Sequence, residues 1–181
     1  MGIRNVISQN KILFGSLGIL ILVSTIAILR FNPPKITNFF SPAKPGNFLI
    51  DAPRSIEVNS LFKVKIEVDT KNQEVNAVGV FIRYNPKEIQ LVKLDTSQSF
   101  CQFYPEKKYD NDQGLISLAC GSPHPGVSGK NTLMELEFMP IAVGVTTITT
   151  DPNSKILLSN GKGTNILLEF PQQQINVLTA I

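Results

Sequence analysis

In the stretch Ala77–Leu94 (AVGVFIRYNPKEIQLVKL), apolar residues that favour strands alternate with a mixed set of small, aromatic and charged residues. This alternation predicts a half-buried β-strand whose buried face consists of Val78, Val80, Ile82 and Tyr84. Asn85-Pro86 then ends the strand, because proline has no N–H to donate to a ladder. Apolar residues resume at Ile89, so a second strand is expected directly after the corner.

The rest of the chain after residue 47 shows the same period of two. Ile156–Leu158 and Ile166–Leu168 flank Ser159–Gly163, a composition that predicts a hairpin. No long stretch outside the N-terminal region has helical periodicity. Short strands separated by Gly/Pro turns predict an all-β sandwich. The other predicted strands are Phe62–Val68, Ile116–Cys120, Met134–Phe138, Thr146–Thr150 and Gln174–Leu178.

The order of these short motifs resembles the cohesin family over about 130 residues. The resemblance rests on the Tyr84-Asn85-Pro86 corner and the strand before it, on the Gly/Pro/Ser turn at 121–129, and on the Thr-Leu-Met-Glu-Leu-Glu-Phe run at 132–138. It also includes the glycine turn at Gly144 that leads into Thr-Thr-Ile-Thr. The resemblance implies a jelly-roll or immunoglobulin-like β-sandwich of about nine strands. It also implies a binding module that docks a dockerin-like protein on one sheet face.

The strand before the corner supplies the candidate partner-binding face. Its exposed positions are Ala77, Gly79, Phe81 and Arg83. The best-known cohesins have polar Asn and Asp residues on this face, whereas the matching positions here are Ala77 and Gly79. An aromatic residue beside an arginine is a plausible hot-spot pair. The alternative is that a loop or the phenylalanines of the preceding linker cover Phe81.

The first 47 residues differ in composition from the rest. Residues 12–29 are 18 residues without a charge, and as a helix they would extend roughly 27 Å, close to the ~30 Å thickness of a bilayer core. We expect a short cytoplasmic tail at 1–11, a single-pass signal-anchor at 12–29, a proline-rich linker at 30–47 and a sandwich domain at 48–181. The domain would then be extracellular at the cell membrane. A cleaved signal peptide is the competing interpretation.

Charge follows the same division. Residues 1–50 have a net charge of +5 and residues 51–181 a net charge of −2. The basic character therefore belongs to the N-terminal region, and the domain has no excess of basic residues that would favour nucleic acid as a partner.

Two other functions compete with protein docking. A carbohydrate-binding module of similar architecture would bind polysaccharide through flat aromatic rings, and the candidates are Tyr104 and Tyr109 in a predicted loop at 103–109. The chain has no tryptophan, so sugar binding ranks second. A purely structural domain of a surface assembly is the third alternative.

The sequence shows little catalytic chemistry, and we expect no enzyme, no cofactor and no metal site. His124, the only histidine, lies between two prolines in a predicted turn. Asp110–Gly114 begins like a calcium loop, but the sixth and twelfth positions hold Leu115 and Gly121 where an EF-hand requires glycine and an acidic residue. A polar turn is therefore the preferred interpretation of this segment.

The two cysteines, Cys101 and Cys120, are predicted to form a disulfide, because cysteines in an exported domain are more often paired than free. Cys120 is in phase with Ile116 and Leu118 and should face the core. The turn at 110–114 would bring the two segments together. The competing interpretation is two buried, reduced thiols in a cytoplasmic domain.

Overall fold

The computed structural model describes residues 43–180, which form eleven β-strands and contain no helix. The strands are β1 (Asn47–Asp51), β2 (Ser55–Glu57), β3 (Phe62–Asp69), β4 (Val75–Arg83), β5 (Ile89–Asp95), β6 (Phe103–Asp110), β7 (Leu115–Gly121), β8 (Lys130–Pro140), β9 (Gly144–Thr150), β10 (Lys155–Leu158) and β11 (Gln172–Leu178).

The strands form two sheets that pack face to face. The four-stranded sheet has the order β1-β3-β8-β5. The seven-stranded sheet has the order β2-β11-β9-β4-β7-β6, and β10 also pairs with β4. β9 pairs with the last residues of β4 and β10 with the first, so two short strands share one side of β4. All pairs are antiparallel except β2 with β11.

The core between the sheets confirms the predicted phase of β4. Val78, Val80, Ile82 and Tyr84 are all buried. The ring of Tyr84 meets that of Phe138 from the opposite sheet edge to face, with 5.2 Å between centroids. The β-sandwich prediction is therefore confirmed for the described residues.

Three details of the prediction were wrong. The sandwich has eleven strands rather than about nine. The segment predicted as a loop at 103–109 is strand β6, which pairs with β7 around a bulge between Phe103 and Glu106. The second arm of the predicted hairpin, 166–168, is not a regular strand. The two arms are joined by the bonds from Ile166 N–H to the Ile156 carbonyl and from Leu158 N–H to the Thr164 carbonyl, while the side chain of Asn165 accepts the N–H groups of Ile156 and Leu167.

From Lys44 onward the backbone is hydrogen-bonded to the rest of the domain. The N–H of Lys44 donates to Oε1 of Gln73 (3.0 Å), and Nε2 of Gln73 donates back to the carbonyl of Lys44 (2.6 Å). Gly46 donates to the carbonyl of Ile166 at 2.9 Å. Within residues 43–180 there is no helix long and apolar enough to span a membrane. The predicted span at 12–29 lies outside the described residues.

Candidate functional site

The outer face of the seven-stranded sheet has a floor of very small residues at its centre. Ala77 lies opposite Gly121, and Gly79 lies opposite Ala119, on the adjacent strands β4 and β7. All four residues are on the side of the sheet that faces away from the core, because they alternate with the buried residues of each strand. A Cβ atom built on Gly79 would have no atom within 4 Å. We call this shallow depression, floored by Ala77, Gly79, Ala119 and Gly121, the trough.

Both apolar and charged side chains border the trough, since Lys155 lies opposite Gly79 on β10 and Glu106 lies opposite Ala119 on β6. The ring of Phe103, at the start of β6, lies over Gly121 so closely that a Cβ there would overlap it. Phe103 is 52% exposed, so this wall is open to a partner. On the other side Leu157 of β10 lies opposite Ala77 and is half-buried. An apolar floor with Phe103 and Leu157 at its borders favours contact with another protein surface, and the neighbouring Lys155 and Glu106 add one charge of each sign.

The dimensions of the trough suit an α-helix. The bordering strands β10 and β6 are separated by β4 and β7, and three interstrand spacings of ~4.8 Å place them about 14 Å apart. An α-helix with its side chains has a diameter of about 10–12 Å. Because the Phe103 ring lies over Gly121, the free width is smaller than this backbone separation, and a helix would contact the floor while resting against that ring.

One end of the trough is formed by Phe81 and Arg83. Phe81 is half-buried, and both its N–H and its carbonyl contact Oγ of Ser154, at 3.0 and 3.4 Å. Nε of Arg83 donates to Oδ2 of Asp151 at 2.6 Å. The turn at 151–154 thus replaces a ladder strand beside Phe81 and holds the guanidinium in place.

The carboxylate of Asp151 is stabilised in its charged form. The backbone N–H of Asn153, followed by the Arg83 guanidinium, holds the pKa of Asp151 below its usual value. The side chain of Asp151 is buried while that of Arg83 is largely exposed. The pair therefore orients Arg83 without withdrawing it from solvent.

The outer face of the four-stranded sheet has a different character. Its exposed positions form charged pairs across and along the strands, including Lys63 with Glu135 (2.5 Å), Lys65 with Glu67 (2.7 Å) and Lys93 with Asp95 (2.8 Å). These groups raise the pKa of the lysines and satisfy one another. A partner would have to desolvate these pairs, so this face is the poorer docking surface.

The structure brings the four predicted partner-binding residues together on one face. Ala77, Gly79, Phe81 and Arg83 all lie along the outward side of β4. Sequence reasoning missed the other half of the trough, formed by Ala119, Gly121, Phe103 and Leu157. The alternation in β7 was visible, but nothing local indicated that β7 would lie beside β4.

The candidate sugar-binding tyrosines lie at the edge of the sheet, on its core side. Tyr104 packs against the core, its hydroxyl donates to the carbonyl of Cys101 (3.2 Å), and Nζ of Lys107 lies 5.6 Å from the ring centroid. Tyr109 lies opposite Ile116, a core residue, and is exposed because β6 is an edge strand. The carbohydrate role of these tyrosines stays a prediction.

The disulfide between Cys101 and Cys120 is present, as predicted, with 5.8 Å between the Cα atoms. Cys120 faces the core, and Cys101 precedes β6. The bridge joins the start of β6 to the end of β7, next to the contact between Phe103 and Gly121. It therefore supports one wall of the trough.

His124 lies in an exposed turn, where Nδ1 is 2.9 Å from Oγ of Ser159. Among residues 43–180 no group of three His, Cys, Asp or Glu side chains could hold a metal ion. In the 110–114 segment Asn111 has a structural role, since its side chain bonds the backbone of Leu91 and the hydroxyl of Tyr84.

Comparison with known proteins identifies the fold. No family model matches the sequence, and no curated protein matches it. Among solved structures, the chain is similar to a cohesin module from a family 33 glycoside hydrolase of Clostridium perfringens, with 16% identity and a TM-score of 0.61 over 76% of this chain and 99% of that chain.

Two further similar structures contain a bound partner. One is the sixth cohesin of scaffoldin B from Acetivibrio cellulolyticus in complex with a dockerin, with 13% identity and a TM-score of 0.61 over 75% of this chain and 100% of that chain. The other is the third ScaB cohesin of R. flavefaciens in complex with a group 1 dockerin. It has 13% identity and a TM-score of 0.55 over 77% of this chain and 99% of that chain. The described domain therefore has a cohesin-like fold.

Proposed function

We propose that this domain is a non-catalytic docking module that binds a dockerin-like protein partner through the trough. The observation that carries the proposal is the uncharged floor of the larger sheet, which is open above Gly79 and is bordered by the Phe103 ring over Gly121. The cohesin-like fold and the dockerin complexes among similar structures support it.

The chemistry of the trough constrains the partner. A floor without hydrogen-bonding side chains contributes mainly through burial of apolar surface, at roughly 25 cal/mol per Å². At the end of the trough Arg83 is paired with Asp151, and along its sides Lys155 and Glu106 lie opposite floor residues. The partner is therefore expected to present the apolar face of a helix to the floor.

Blocking the floor tests this proposal. Gly79→Arg places a long side chain in the trough, and the open space above Gly79 lets the fold accept it. Gln90→Arg is the matched control, since Gln90 is an exposed strand position on the four-stranded sheet. Calorimetry of the full chain against a panel of dockerins should show binding that Gly79→Arg abolishes and Gln90→Arg preserves.

Three results would overturn the proposal. Equal binding by both variants would place the contact elsewhere. Failure to bind any dockerin, together with binding on a glycan array that is lost on changing Tyr104 or Tyr109, would favour the polysaccharide-binding alternative. No ligand in either assay would support a structural domain.

We further propose that residues 12–29 anchor the chain as a single span and display the domain outside the cell. The uncharged 18-residue run supports this, as does the absence of a small-x-small cleavage site after it. Mass spectrometry of the native protein tests it. A mature N-terminus between residues 29 and 47 would make the protein secreted.

A further inference from the structure

One side of β11 is only partly paired. On one side β9 pairs with Gln172–Val177, but on the other β2 pairs only with Asn176–Leu178. Continuing the parallel register of β2 would place Pro53 opposite Gln174, and proline has no N–H to extend the ladder. Among residues 43–180, therefore, no strand pairs with this side of Gln172–Ile175, which we call the open edge of the seven-stranded sheet.

Backbone groups of this edge point outward. The N–H of Asn176 donates to the carbonyl of Arg54 at 2.9 Å, on the side away from β9. Alternation along the strand directs the N–H and carbonyl groups of Gln172 and Gln174 to the same side. The carbonyl of Gln174 accepts from Nε2 of its neighbour Gln173 at 2.9 Å, so a flexible side chain occupies the place of a neighbouring strand.

Two other edge strands, β6 and β5, carry residues that natural sheets use against pairing. β6 contains Pro105, Lys107 and Lys108, and β5 contains Lys93. Gly46, the residue before β1, forms an isolated bridge with Leu167. β11, in contrast, has no charged residue.

Two exposed apolar residues, Leu168 and Phe170, shortly precede the open edge. An uncharged edge with exposed apolar residues beside it is suited to contact with another strand.

We propose that the open edge of β11 pairs with the same edge of a second copy of this chain. An antiparallel pair centred on Gln173 places residue 172 of one copy opposite residue 174 of the other, which allows about four backbone hydrogen bonds. Like copies do not repel there, because the edge has no charge, and glutamine amides are both donors and acceptors. The arrangement has two-fold symmetry and closes on itself.

Pairing in this way joins the two seven-stranded sheets into one. Both troughs then lie on the same continuous sheet surface and stay free. If the chain is anchored as proposed above, tethering in one membrane raises the effective concentration of the two edges. The edge pairing itself does not depend on the docking function or on the anchor.

Cross-linking of the full chain tests the pairing. Residue 173 would face its own copy across the axis as a non-hydrogen-bonded pair with Cα atoms ~4.5 Å apart, within disulfide reach. Under mild oxidation Gln173→Cys should give a covalent dimer on a non-reducing gel. Thr147→Cys is the matched control, because Thr147 lies opposite Gln174 but one strand in from the edge. Equal amounts of covalent dimer from the two variants, or no dimer from Gln173→Cys, would overturn the proposal.

A charge at the edge provides a second, non-covalent test. Gln174→Lys should shift the wild-type dimer to monomer in sedimentation equilibrium, while Thr147→Lys should leave it dimeric. A wild-type chain that stays monomeric at every concentration, or a Gln174→Lys variant that dimerises like wild type, would contradict the pairing. Gly79→Arg should lose dockerin binding and still dimerise like wild type. Failure of the docking proposal and failure of the pairing proposal can therefore be told apart.

Discussion

The N–H of Tyr84 donates to the carbonyl of Gly114 at 3.0 Å, which ties the corner after β4 to the turn between β6 and β7. Gly114 has φ +62°, and a Cβ built on it would overlap the carbonyl oxygen of Tyr84. The hydroxyl of Tyr84 bonds the side chain of Asn111 in the same turn. One glycine thus allows two distant segments to approach at the end of the sandwich.

Gly114→Ala should therefore destabilise the domain more than a left-handed backbone alone explains. Gly161→Ala is the control, because Gly161 has a similar φ of +68° and no atom within 4 Å of its Cβ position. Gly161→Ala should lower the free energy of unfolding by about 1–2 kcal/mol because of the backbone conformation. Gly114→Ala should lower it by about 1–3 kcal/mol more because of the overlap. Urea unfolding midpoints check this, and equal losses in the two variants would rule out the overlap as a cause.

Removing the disulfide should lower stability through the unfolded state. The bridge joins two residues that are 19 apart in sequence. Closing a loop of this length contributes roughly 3 kcal/mol to the free energy of unfolding. The double variant Cys101→Ala, Cys120→Ala should lose about this much in denaturant unfolding, and reductant should lower the midpoint of wild type but not of the variant. Thiol titration of denatured, unreduced wild type should find no reactive thiol. Two reactive thiols per chain would refute the bridge in the native protein.

Side-chain alternation was sufficient to predict which face of β4 is buried, because Val78, Val80 and Ile82 can be buried together only on one side of a strand. It was insufficient for β6, where Pro105, Lys107 and Lys108 obscure the period and a bulge shifts it. Edge strands carry such residues because one side of their backbone faces solvent.

The second half of the trough was unpredictable for a different reason. Phe103 and Leu157 lie about 20 and 80 residues from Gly79 in sequence, and only the strand order β10-β4-β7-β6 places them beside it. Strand order depends on the packing of the whole domain, whereas local patterns report only which residues are buried.

Asp151→Asn should destabilise the domain at neutral pH, and the loss should shrink in acid. The pKa of Asp151 is held below its usual value, first by the N–H of Asn153 and then by Arg83. A lowered folded-state pKa means that the carboxylate stabilises the fold fully above its ordinary pKa near 3.8 and loses this effect as pH falls through the folded value.

Unfolding midpoints of wild type and Asp151→Asn, measured from neutral pH downward, check this expectation. The difference between the two proteins should be constant above about pH 5 and should narrow below about pH 4. A difference that stays constant into strong acid would show that the charge of Asp151 contributes nothing.

Phe81→Ala should weaken partner binding if the trough is the docking site. Phe81 is a half-buried aromatic at the end of the trough, and its backbone is fixed by Ser154. Truncating a hot-spot aromatic costs at least about 1 kcal/mol, or a fivefold or greater loss of affinity. Val92→Ala is the control, because Val92 is an exposed apolar residue of the four-stranded sheet. Affinity is measured by calorimetry, with circular dichroism to confirm the fold. An unchanged affinity in Phe81→Ala would place the contact elsewhere, for instance in the turn around His124.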